Sequence, residues 1–172
     1  MKGTITQDQK NAFERDGITK LPNVIGDELL AKLNRCFDWS VAHPGPIAVG
    51  KPEGENINFI DNGNPEAYKM YSDLVLGSGF GAIASELWDS KYVGFFAEEI
   101  FFKQGKSRPT YWHQDTVYSP WGVEHWANFW IPLVQMTAEQ SIRIVRGSHK
   151  GVMYDGTTFN PKVENALTSR WK

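Results

Sequence analysis

At 172 residues the chain is long enough for one domain with its own core. Its 18 basic and 20 acidic residues leave a formal net charge of −2, with no stripe of lysine or arginine to follow a phosphate backbone, which argues against nucleic acid as a partner. No apolar run reaches the length of a membrane span, the first residues lack the apolar stretch of a signal peptide, and a single cysteine excludes an internal disulfide framework, so a soluble cytoplasmic protein is expected.

Thr6-Gln7-Asp8-Gln9 has the spacing of a capping box, which predicts a short helix to about Asp16 with Gly17 ending it. A second helix is predicted after Gly26-Asp27, because Leu29, Leu30, Leu33, Cys36, Phe37 and Val41 recur at helical spacing. Cys36 falls on its apolar side and is read as a core residue, and His43 at its tail suits the negative end of a helix dipole. The glycines and prolines between residues 44 and 56 mark a surface loop, and Ile57-Asn58-Phe59-Ile60 is a brief strand. Pro65 to Asp73 and Phe80 to Trp88 have helical patterning, with Gly77-Ser78-Gly79 as a plain turn between them rather than a phosphate loop.

From Lys91 the period changes to that of strands. Tyr92 to Phe102, Trp126 to Leu133 and Ile142 to Val145 are predicted strands, with Gly147-Ser148-His149-Lys150-Gly151 a loop. Between the first two lies Pro109 to Tyr118, aromatic and β-branched, in which His113 and Asp115 leave the same face of an expected strand. An imidazole and a carboxylate side by side can be neighbouring ligands of a divalent first-row metal, although a His-x-Asp triplet alone is more often an ordinary polar strand face. Four of the seven tryptophans, Trp112, Trp121, Trp126 and Trp130, crowd beside this triplet, as a pocket wall or as the core of a sheet. Helices first and antiparallel strands after is the order of an α+β domain, here one domain over residues 1–172.

Tyr111-Trp112-His113-Gln114-Asp115, then Phe129-Trp130-Ile131-Pro132-Leu133, then Gly147-Ser148-His149-Lys150-Gly151 together resemble the phytanoyl-CoA dioxygenase family of non-haem Fe(II) and 2-oxoglutarate dependent oxygenases. The resemblance implies N-terminal helices packed on a jelly roll, the cupin-like double-stranded β-helix. It implies His113 and Asp115 as two iron ligands, Trp130 as a wall of the 2-oxoglutarate pocket, and O₂ and a small-molecule substrate as the other reactants. The carboxylate of Asp115 favours hydroxylation over halogenation, because related halogenases carry a small residue there.

The family also places a third histidine ligand and a carboxylate-binding arginine some tens of residues beyond the Gly-Ser-His loop. This chain ends at Lys172 before either, so it is expected to be the N-terminal and central portion of that fold, with the last strands missing and an open sheet edge available for dimerisation or strand exchange. Arg108, Arg143 and Arg146 do not occupy the family position, Gln140-Ser141 and Arg146 depart from the usual pattern, and Lys51, Lys103 and Lys106 are read as solvated lysines. Three readings stay open. They are a hydroxylase in its complete form, with the activity of this chain itself left open, a non-catalytic binding module on the same scaffold, and a cupin-like metalloprotein completed by His149 or by a partner chain, with His125 a weaker candidate.

Overall fold

A computed structural model describes residues 5–107, 109–110, 112–115 and 125–151. Helix α1 (Gln7–Asp16) starts where the capping box places it: Thr6 Oγ1 accepts from the Gln9 N–H at 3.2 Å, and Gln9 Oε1 accepts from the Thr6 N–H at 2.8 Å. It ends at Gly17, whose φ of +77° lets its N–H turn back to the Phe13 carbonyl at 2.8 Å. None of its residues is buried, so α1 lies on the surface and depends on end contacts for its place.

Helix α2 (Asp27–Ala42) buries Leu33, Cys36 and Ser40, one face at helical spacing. At its C-terminus the His43 ring stacks on Trp39 at 4.4 Å, and its Nδ1 lies 2.8 Å from the Trp39 carbonyl. Strand β1 (Ile57–Asn62) alternates as a half-buried strand should, with Ile57, Phe59 and Asp61 inward. It pairs antiparallel with β2 (Glu99–Gln104), placing Phe59 opposite Phe102 and Asp61 opposite Ile100. Helices α3 (Tyr68–Ser78) and α4 (Phe80–Trp88) meet at Gly79. Cys36, Ile57, Phe59, Ala67, Tyr71 and Ile100 form the centre of the core, where α2, α3 and the sheet converge. Among the described residues the architecture is therefore α+β, with four helices and a two-stranded antiparallel sheet. None of those helices is long and apolar enough to cross a membrane.

Beside the apolar core sits a buried polar cluster. Asp61 Oδ2 accepts from the Gly45 N–H at 2.9 Å, Glu98 Oε1 accepts from the Asn64 N–H at 2.8 Å, and Ser40 Oγ meets Tyr71 OH at 3.1 Å. Burial pushes the Tyr71 hydroxyl up to about 12. Burial also pushes the Glu98 carboxyl upward against the pull of two backbone hydrogen bonds, and the Asp61 charge pushes it further. A glutamate whose folded pKa is raised contributes most to stability below the ordinary carboxylate range, and that contribution is lost as pH rises through the raised value. Glu98→Gln should therefore melt above the wild type at about pH 8, with the gap closing near about pH 4. A variant less stable at the higher pH would contradict the account.

Several expected boundaries shift. The third helix starts at Tyr68 rather than Pro65, because Asn64 organises a turn first: its carbonyl accepts from the Ala67 N–H at 3.0 Å and its Oδ1 from the Glu66 N–H at 3.1 Å. That helix runs on through Gly77 and Ser78, so the turn narrows to Gly79 alone. The long strand from Tyr92 shortens to Glu99–Gln104, the length its six-residue partner β1 can pair. Residues 112–114, 126–133 and 142–145 are not strands: propensity puts them in extended-prone sequence, but a strand exists only where a ladder partner supplies hydrogen bonds. Tyr111, Tyr118, Trp121 and Arg108 lie outside the described residues.

Candidate functional site

The segment carrying the triplet comes off the end of β2. Lys103 of that strand donates from Nζ to Thr110 Oγ1 at 2.7 Å, holding the returning chain close to the sheet. Three residues further on, His113 Nε2 lies 3.0 Å from Asp115 Oδ1. The two side chains meet although residues 112–114 are not strand. The pair is half open, with 27% of the His113 side chain and 48% of the Asp115 side chain exposed, which leaves room for a ligand from solvent.

The other carboxylate oxygen is held separately: Asn128 Nδ2 donates to Asp115 Oδ2 at 2.7 Å. Asn128 is placed by the aromatic residues around it. The His125 ring stacks on Trp88 at 5.5 Å, Trp126 meets Phe96 edge-on at 5.0 Å, and Phe129 stacks on Phe80 at 4.9 Å. Those contacts lay residues 125–129 against both ends of α4 and the approach to β2. The tryptophan cluster thus does structural work through Trp126, while Trp112 and Trp130 keep 44% and 42% of their surface exposed.

Glu99, the first residue of β2, feels the pair. Crowding by protein atoms pushes its carboxyl upward although the residue keeps solvent contact, the Asp115 charge pushes it further, and His113 opposes. Trp112, His113, Gln114, Arg143, Ile144, Val145 and Ser148 border a small recess of about 70 Å³ next to the pair. A volume that small admits a few water-sized groups.

His149 is not brought to His113 and Asp115. Its Nε2 lies 3.0 Å from the Glu14 carbonyl, against α1. His125 is spent on Trp88, and Arg146 lies near Asp16. No group of three or more His, Cys, Asp or Glu side chains suited to a metal ion is present among the described residues. The sequence reading missed Asn128 and Glu99. The signals were there: Asn128 is the one amide in Trp126-Ala127-Asn128-Phe129-Trp130, and Glu99 interrupts an apolar run.

No curated protein and no solved structure matches the chain. The family model for phytanoyl-CoA dioxygenase does, over residues 13–168, taking in the end of α1, the other three helices, the sheet and all three motifs. On a match spanning nearly its whole length, the chain belongs to the phytanoyl-CoA dioxygenase family.

Proposed function

We propose that this protein is an Fe(II)- and 2-oxoglutarate-dependent oxygenase that hydroxylates a small molecule, with residues 1–172 belonging to one domain of jelly-roll type. The observation that carries the reading is the contact between His113 Nε2 and Asp115 Oδ1 at 3.0 Å. The imidazole nitrogen and the carboxylate oxygen are close enough that both could reach one metal ion, His113 through Nε2 once that nitrogen is free of its proton and Asp115 through Oδ1. Nitrogen and carboxylate donors are also the set expected for non-haem iron. Bound iron would supply oxidative chemistry in which 2-oxoglutarate and O₂ become succinate and CO₂ while one oxygen atom enters a substrate C–H bond.

The residues present have definite tasks in that reading. His113 offers its Nε2 lone pair, Asp115 offers Oδ1, and Asn128 keeps the carboxylate from rotating away. Trp130 is assigned to the wall of the co-substrate pocket. The third ligand and the arginine for the far carboxylate are not assigned to any described residue.

Anaerobic titration with Fe(II) and 2-oxoglutarate, followed by O₂ and assay for succinate, tests the proposal. A visible charge-transfer band and succinate formation support it. Absence of both, with Asp115→Ala indistinguishable from wild type, favours a non-catalytic binding module instead. Asn128→Ala should weaken metal binding by about 10- to 100-fold, the usual effect of losing a group that orients a ligand, and isothermal titration with the metal alone would measure it. Unchanged affinity would remove Asn128 from the site.

A further inference from the structure

We infer that the Gly147–Gly151 loop is a strut that fixes the His113–Asp115 arm to the C-terminus of α1, with His149 as the positioning residue. The inference rests on the reading of His113 and Asp115 as metal ligands for its functional meaning, but its structural content stands on contacts of its own.

A helix leaves its last four carbonyls without partners inside the helix. In α1 these belong to Phe13, Glu14, Arg15 and Asp16, and the Gly17 N–H satisfies only the first. The loop serves two of the others. The Gly147 N–H donates to the Asp16 carbonyl at 2.9 Å, and His149 Nε2 lies 3.0 Å from the Glu14 carbonyl. A carbonyl can only accept, so His149 Nε2 carries the proton and donates. The fit is close: a Cβ at residue 17 would collide with the His149 imidazole, so Gly17 both ends the helix and makes room for the ring. A capped surface helix with no buried residue thereby gains a fixed seat on a distant loop, His149 and Glu14 being 135 residues apart in sequence.

The other side of the same loop reaches the candidate site. The Ser148 carbonyl accepts from Gln114 Nε2 at 3.3 Å, and Gln114 stands between His113 and Asp115 in the chain. Ser148 and Gln114 also border the recess beside the pair. Three consecutive residues therefore join α1 to the middle of the His-x-Asp triplet: Gly147 and His149 hold the helix, and Ser148 between them holds Gln114. With residues 112–114 lacking a strand ladder, this link replaces part of the restraint that sheet pairing would have provided.

Hydrogen–deuterium exchange on the full chain, with Co(II) binding read from its visible absorption, tests the strut. His149→Ala should raise exchange at residues 112–115 by about 3- to 10-fold, the effect of losing one hydrogen bond on local opening, while β1 and α2 stay as protected as in wild type. His149→Gln, whose amide can donate to the same carbonyl, should restore protection, and Gln114→Met should loosen 112–115 while leaving α1 seated. Exchange at 112–115 unchanged in both His149→Ala and Gln114→Met overturns the inference. Should wild-type protein fail to bind Co(II), the metal reading fails, and the exchange data still decide the strut. Where wild type binds, His149→Ala should weaken Co(II) and His149→Gln should recover it, a rescue that a general loss of stability would not produce.

Discussion

Phe59→Ala should lower the unfolding free energy by about 3–5 kcal/mol, the range for removing a large aromatic ring from a core that cannot collapse around the gap. Phe59 is 0% exposed and is the largest side chain so enclosed among the described residues. It sits on the inward face of β1, opposite Phe102 of β2, within the cluster formed with Cys36 of α2, Tyr71 of α3 and Ala67 from the turn that precedes α3. Those neighbours belong to different elements, so no single local shift fills the space. Against a typical total of about 5–15 kcal/mol the loss leaves little reserve. Urea unfolding measures it: the midpoint should fall with the slope unchanged, and a drop of less than about 1 kcal/mol would show that Phe59 is not the keystone of this core.

Asp115→Ala should behave in the opposite way, leaving stability within about 0.5 kcal/mol of wild type while weakening Fe(II) binding by more than the roughly 100-fold limit for an orienting residue. The carboxylate is 48% exposed and its partners, His113 and Asn128, can be served by water once it is gone, so the fold has little to lose. The metal would lose the only oxygen donor of the described pair. Paired measurements of the thermal midpoint and Fe(II) affinity separate the two effects. A stability loss without an affinity loss would make the His113–Asp115 contact a structural ion pair and nothing more.

Much of the N-terminal half was legible before any coordinates. Thr6 and Gln9 announced α1, the spacing of Leu33 and Cys36 gave the buried face of α2, and Ile57 to Ile60 lay inside β1. Each of these is a local signal, carried by a cap or a period within a few residues. The second half was legible as motifs and not as secondary structure. Trp126 to Leu133 has strand-like alternation, yet its Trp126 and Phe129 rings go to Phe96 and Phe80 instead of to a sheet face. Strand character depends on a partner at long range, and alternation cannot say whether one is there.

The sequence by itself determined the α+β class, the ends of α1, α2 and α4, and the family, because caps, apolar periods and motif spacing are written in consecutive residues. Only the tertiary structure decided that Asp115 is held from both sides, by His113 and by Asn128, and that His149 seats α1 instead of joining them. The physical reason is one of distance along the chain. His149 and Glu14 are joined by a hydrogen bond across 135 residues of chain, and such a contact depends on how every intervening element packs, which no local pattern encodes.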